Sequence, residues 1–217
     1  MQIFRSPVLY IACILAICIS LALHHFVFTP NQFLLSASGD ACKNYFTPAW
    51  FVANDSGTHF TGMLYPYGDN VLYADAQPAL VWGIQCLGFL FPEVLDYTVG
   101  IIHLAIFISL IVCGIFIYKI LRHFIADTWF AAIAAMVITI MNPQLERLSG
   151  HYALSYACFI PLLWYLHIRL FVMENKLKYA ASLIALVTFF AFLHLYYLLT
   201  AILFTGVFAI VHTTYHR

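Results

Sequence analysis

Charge is scarce in this chain. Only 8% of its 217 residues are Asp, Glu, Lys or Arg, where a soluble domain carries about 25%, and that shortage excludes a water-soluble globule. The basic and acidic residues cancel to a formal net charge of zero, and no basic tract exists to bind nucleic acid. Neither a CxxC pair, a Cys/His ladder nor an HExxH-like spacing is present, so no familiar metal motif stands out. Nucleotide-binding glycine loops, internal repeats and low-complexity tracts are missing too. Of the six cysteines, Cys13, Cys18, Cys113 and Cys158 sit in apolar runs, where Cys acts as a small hydrophobe. Cys42 and Cys86 share a polar segment; they are either two free thiols or, in an oxidising compartment, a pair.

What the chain has in plenty is apolar sequence: 64% of residues are hydrophobic and the mean hydropathy is +0.93. A bilayer core of ~30 Å is crossed by about 20 apolar residues in a helix. Runs of that kind occupy Pro7–Phe28, Thr98–Ile120, Asp127–Met141 and Tyr152–Met173. The first is too long and too aromatic at its end for a cleaved signal, and it lacks a small-residue cleavage site. The block Tyr179–His212 would run ~50 Å as one helix. Division near His194-Leu195-Tyr196-Tyr197, where a His and two Tyr suit an interfacial turn, gives two short helices; one long tilted helix is the alternative. The expected fold is all-α, a polytopic transmembrane bundle of about six spans, with residues 1–217 forming one domain that is the front part of a larger protein.

With six spans and the N-terminus inside, Arg5, Lys119, Arg122, Arg169, Lys176, Lys178 and Arg217 face the cytoplasm, and only Lys43 and Arg147 face outward. Seven cations against two is a firm positive-inside pattern. It places a polar island, residues 29–97, on the extracytoplasmic side of a plasma (bacterial inner) membrane.

The island opens with Gly39-Asp40-Ala41-Cys42-Lys43-Asn44 and runs through Tyr65-Pro66-Tyr67-Gly68-Asp69-Asn70 to Ala74-Asp75-Ala76-Gln77-Pro78. Tyr45–Asn54 reads as a short helix, with Phe46, Ala49, Trp50 and Ala53 at helical spacing and Pro48 tolerated in its first turn. It lies in the membrane interface or packs on the loop's own core. Tyr65–Asn70 is turn chemistry. Pro78 opens a further apolar run, Ala79–Leu90, too short to span. Asp40 and Asp75 flank these elements. A partly desolvated carboxylate within reach of a hydroxyl is a general base; the plainer role for each is a helix cap.

A second outward loop, Asn142–His151, brings Glu146, Arg147 and His151 into a few residues. Arg suits bidentate phosphate binding, and His donates to phosphate or moves a proton. A Glu146–Arg147 surface pair is the alternative. A third turn supplies His194, Tyr196 and Tyr197, of which the tyrosines also fit an aromatic belt. The loop's acidity admits a divalent cation, Mg²⁺ or Mn²⁺, between Asp40, Asp75 and His151.

The order of these pieces resembles the GT-C integral membrane glycosyltransferases, which include protein O-mannosyltransferases and aminoarabinose transferases. Gly39-Asp40 matches the acid that opens their first outer loop, and Ala74-Asp75-Ala76-Gln77-Pro78-Ala79-Leu80 resembles a later acid-x-x-Pro-x-Leu element. Asp40 is followed by Ala41, where a paired Asp-Glu is common in that superfamily. The resemblance implies a polyprenyl-phosphate sugar donor, a glycan, lipid or protein acceptor, and contacts with membrane lipids. Asp40 would then be the base, and Asp75 would orient acceptor or base. Arg147 and His151 would meet the departing phosphate, and Lys43, Tyr67, Asp69, Gln77, His194 and Tyr197 would bind substrate. A non-catalytic relative is the second reading. A transporter component is the third, and it predicts ionisable groups inside spans, where only His103 and His167 lie.

Overall fold

The computed structural model describes residues 7–172 and 176–215. Arg5, Met173, Glu174 and Arg217, which enter the span and charge pattern above, lie outside the described residues. Three quarters of the structure is helical. Nine α-helices run in the order α1 (Pro7–Ala22), α2 (His24–Phe28), α3 (Asp40–Asn54), α4 (Pro78–Leu90), α5 (Thr98–Phe124), α6 (Thr128–Ile140), α7 (Phe159–Val172), α8 (Lys176–Ala191) and α9 (Leu195–Tyr215), counted among the described residues. One two-residue antiparallel ladder, β1 (His59–Phe60) with β2 (Asp69–Asn70), pairs His59 with Asn70.

Among the described residues four helices are long and apolar enough to cross a membrane: Pro92–Phe124, Thr128–Ser149, Tyr152–Phe171 and Leu195–Thr214. In the second and fourth, only 22% and 11% of the most apolar stretch is buried. Their apolar side chains therefore point outward, as a lipid-facing surface requires. The run Pro7–Phe28 is not one helix: it breaks at Leu23 into α1 and α2. The block Tyr179–His212 divides as the interfacial-turn reading expects, with α8 ending at Ala191 and α9 beginning at Leu195.

α5 is the hub. At ~1.5 Å per residue its 27 residues extend about 40 Å, and it packs on α1, α2, α3, α4, α6 and α7. Gly114 lets α1 and α6 approach it: a Cβ there would stand 2.4 Å from Leu15 Cδ1 and 3.1 Å from Thr139 Oγ1. At its other end, Asn31 fastens the segment after α2. Its Nδ2 donates to Asp96 O (2.8 Å), and its Oδ1 accepts from Gly100 N (3.1 Å).

The two buried span histidines are bound within the protein. His103 donates from Nδ1 to Pro30 O (2.7 Å) and accepts at Nε2 from Tyr45 Oη (2.5 Å), tying α5 to α3. His167 donates from Nδ1 to Leu163 O (2.7 Å) and accepts from Thr205 Oγ1 (3.1 Å).

The polar island folds over one end of this bundle. α3 begins at Asp40, five residues before the start expected from its apolar spacing, so Pro48 lies in mid-helix rather than in the first turn. The missing N–H costs one backbone bond, and burial of Pro48 in the packed face of α3 accompanies it. Phe51 and Val52 join Phe60, Val71, Val81 and Ile84 in a second core between α3, the hairpin and α4. Phe46 and Trp50 stay exposed, their ring centroids 5.5 Å apart. The helix thus packs on the loop's own core with one face and leaves aromatics outward on the other.

Candidate functional site

Four segments distant in sequence meet at this end: the start of α3, the turn before α4, the residues before α7, and those at the start of α9. Gly39 (φ 55°, ψ −130°) takes a positive-φ conformation that glycine tolerates best, and α3 starts directly after it. Helical spacing then puts Asp40, Lys43, Asn44 and Thr47 on one face. Asn44 Nδ2 donates to Asp40 O (3.0 Å), and Thr47 Oγ1 to Lys43 O (3.0 Å).

Asp75 does not cap α4. That position belongs to Gln77, which makes no side-chain capping bond. Instead the Asp75 carboxylate is held from two sides. Lys43 Nζ lies 2.7 Å from Oδ2, and His194 Nε2 lies 3.4 Å from Oδ1. Tyr196 N donates to His194 Nδ1 (3.2 Å), so the ring proton sits on Nε2, facing Asp75. The hydrogen bond from His194, with the Lys43 ammonium beside it, holds the Asp75 carboxyl below its usual range, at about 2, although partial burial acts the other way. Asp75 is therefore an ionised anchor, and both nitrogens of His194 are engaged. Neither is poised as a base.

The backbone here is strained. Asp75 (φ 56°) and Gln77 (φ 54°) are both left-handed without being glycine, which costs of order 1–3 kcal/mol each and persists only under firm external restraint. The restraint is visible: besides Lys43 and His194, Tyr156 Oη donates to Gln77 Oε1 (2.5 Å) and Ala79 N to Phe192 O (2.8 Å). Gln77 is fully buried, and among the described residues its Nε2 has no hydrogen-bond partner.

Asp40 differs from Asp75 in every respect. Its side chain is 66% exposed, and its nearest ionic neighbour is His151, Nε2 to Oδ2 at 3.8 Å. His151 follows a 3₁₀ helix, Pro143–Ser149, that Asn142 caps through Gln144 N. Gly150 brings this arm against α3, since a Cβ on it would stand 3.2 Å from Ala41 N. Arg147 projects from the same arm. The Glu146–Arg147 surface pair does not form: among the described residues three ion pairs occur, and neither residue takes part.

Arg147 is the common wall of three cavities. The central one, about 240 Å³, is lined by Asn44, Asp75, Arg147, His151, His194 and Tyr196, with Ala153 and Leu154. A larger one of about 480 Å³ lies along Pro143–Ser149 and His151. The third, about 170 Å³, runs between α7 and α9 past Phe159, Ile160, Tyr197 and Thr200. Polar and charged groups thus border the centre, and a slot of mixed lining leads from it between helices, with Leu154, Phe159 and Ile160 beside Gln144, Arg147 and Thr200.

Of the residues singled out in the sequence, Asp75, Arg147, His151 and His194 line the central cavity. Asp40 and Lys43 reach it through His151 and Asp75. Tyr197 lines the slot between α7 and α9, and Gln77, two residues after Asp75, is buried. Tyr67, 85% exposed, and Asp69, whose Oδ1 accepts from Asn70 N, belong to the hairpin and line none of the three cavities. Asn44 was not singled out; its i+4 offset from Asp40 is the signal for it. For a divalent cation the fit is poor. Asp75 is engaged by Lys43 and His194, and among the described residues no three His, Cys, Asp or Glu side chains cluster to hold a metal. The six cysteines, Cys42 and Cys86 included, are free thiols.

A family described as a domain of unknown function, DUF6311, has a model that matches residues 10–217. No curated protein matches the chain, and no solved structure does.

Proposed function

We propose a function for a chain that belongs to the DUF6311 family: it is a multi-pass membrane glycosyltransferase of GT-C type. It moves a sugar from a polyprenyl-phosphate carrier to an acceptor hydroxyl outside the cytoplasm. The chain crosses the membrane six times with its N-terminus inside, α1–α2 and α8 completing the four longer spans. Seven of nine cations then lie on the cytoplasmic side. The observation that carries the proposal is that Arg147, which makes no ion pair among the described residues, is shared by the central cavity and the slot between α7 and α9, while the exposed Asp40 carboxylate reaches the wall of that cavity through His151.

Each group has a task. The prenyl chain lies in the slot between α7 and α9, and the phosphate sits against Arg147, a planar donor that binds phosphate oxygens two at a time. Asp40, exposed and without a cation locked to it, takes the proton from the acceptor hydroxyl. The acceptor oxygen forms a bond to C1 of the sugar. The C1–O bond to phosphate breaks, and its electron pair leaves with the polyprenyl phosphate. Arg147 and His151 neutralise that charge. Asp75 touches neither reacting atom. It is a positioning residue that fixes Lys43 and His194 and thereby the wall of the cavity. Because a lipid phosphate is a good leaving group, orientation and charge stabilisation carry most of the acceleration.

Membranes containing the chain, supplied with radiolabelled polyprenyl-phosphate sugars, are expected to pass label to glycan, lipid or protein. Membranes lacking it are not. No difference between the two would leave the chain as a non-catalytic subunit.

A further inference from the structure

At the far end of α5 and α7, opposite the cavities above, a cleft of about 410 Å³ is lined by Lys119, Arg122, His123, Tyr165, Ile168 and Arg169. We propose that this cleft binds the phosphate of an anionic phospholipid. The inference stands apart from the glycosyltransferase reading and uses none of its residues.

Cations near helix C-termini are common, because one such charge offsets the negative end of the helix dipole. Here Arg122 already meets that need for α5, donating from Nη1 to Ile125 O (2.6 Å). Lys119 and Arg169 are then in surplus, and aromatic rings hold them in place. Lys119 Nζ stands 4.4 Å from the Phe116 ring centroid and 5.5 Å from that of Tyr165. Arg169 Cζ lies 5.9 Å from the Tyr165 ring centroid and 5.4 Å from that of Tyr179. It also donates from Nε (3.3 Å) and Nη2 (3.0 Å) to Tyr179 Oη. The Tyr165 ring therefore shares its quadrupole between two cations.

No acid pairs with these cations among the described residues. Among the described residues the one acid at this end is Asp127, whose Oδ1 accepts from Phe130 N at the start of α6. No ion pair reaches Lys119, Arg122 or Arg169 among the described residues. Three full positive charges around one cleft repel each other unless an anion joins them. A phosphate diester does so, and its two free oxygens suit an Arg and a Lys together.

A lipid, rather than a soluble anion, follows from where the cleft lies. Lys119 and Arg169 sit in the closing turns of two membrane-length helices, at headgroup depth, and Ile168 forms part of the wall. Basic pockets between spans on the cytoplasmic side are the usual receptors for acidic headgroups.

The test is native mass spectrometry of the full chain in neutral detergent, titrated with dioleoyl phosphatidylglycerol or with dioleoyl phosphatidylcholine. Phosphatidylglycerol is expected to be retained and phosphatidylcholine lost. Lys119→Gln or Arg169→Gln should weaken phosphatidylglycerol about fivefold, equal to ~1 kcal/mol, and Lys119→Arg should restore it. Equal retention of the two lipids by the unaltered chain overturns the assignment, whatever the variants do. So does undiminished binding by folded Lys119→Gln. Displacement of phosphatidylglycerol by millimolar inorganic phosphate would mark a soluble-anion site instead and would also overturn it.

Discussion

Lys43 Nζ and Asp75 Oδ2 stand 2.7 Å apart, a contact between the second turn of α3 and the strained turn before α4. It fixes which of the two acids is chemically available. The bound one is spent on structure, and on the proposed reading the other, Asp40, 66% exposed with His151 Nε2 3.8 Å from its Oδ2, is the one that meets substrate.

Asp75 should therefore behave as a stabilising anchor with a defined pH window. Its carboxyl is depressed in the folded state, so the stabilisation is fully present above its ordinary value near 4 and is lost as pH falls toward about 2. Asp75→Asn is expected to cost ~1.5–3 kcal/mol at neutral pH, the range for a hydrogen bond to a charged group. The gap between the two proteins should close in acid. Thermal unfolding of both in detergent, followed from pH 6 downward, measures it. A gap that stays constant with pH would mean that the ion pair contributes nothing.

Arg147 has no protein partner among the described residues, so its removal should leave stability alone. Arg147→Gln is expected to raise KM for the polyprenyl-phosphate donor about tenfold or more, a loss of ~1.4 kcal/mol, with melting temperature unchanged. Arg147→Lys should recover part of the affinity, because it keeps the charge and loses the fork. Steady-state kinetics with calorimetry separates the two effects. A fall in melting temperature with normal KM would assign Arg147 to the fold.

Gly150 sets how closely the Arg147–His151 arm approaches Asp40. An added Cβ meets Ala41 N at 3.2 Å, so α3 or the arm must give by a few tenths of an ångström. Gly150→Ala should lower the rate of transfer roughly tenfold through misplacement alone, while the chain remains folded. Unchanged transfer would show that the Asp40–His151 spacing is not critical.

How far the sequence foretold this arrangement depends on which force decides each feature. The division at His194 was legible, because a His and two Tyr interrupt an apolar block that is too long for one span. The break at Leu23 was not, since Pro7–Phe28 is apolar throughout and the break follows from packing of α2 on α5. The start of α3 was misplaced because Pro48 argues for a helix beginning nearby. The pull toward the true start comes from Gly39 and from the fit of Ala41 beneath Gly150. Asp75 reads as a cap from its distance to Pro78. Its actual partners, Lys43 and His194, come from other elements, and no local pattern announces them. Asp40 and Arg147 stood out for a simpler reason: they are rare charges in apolar sequence, and they remain unlocked in the fold.

The most direct measurement compares the chain with Asp40→Asn, at equal expression, in the transfer assay with labelled polyprenyl-phosphate sugars. If Asp40 is the base, the variant loses transfer by about a hundredfold or more, within the range for a general base, while Arg147-dependent donor binding persists. Transfer undiminished in Asp40→Asn would contradict the account and return Asp40 to the role of an acidic residue in the first turn of a helix.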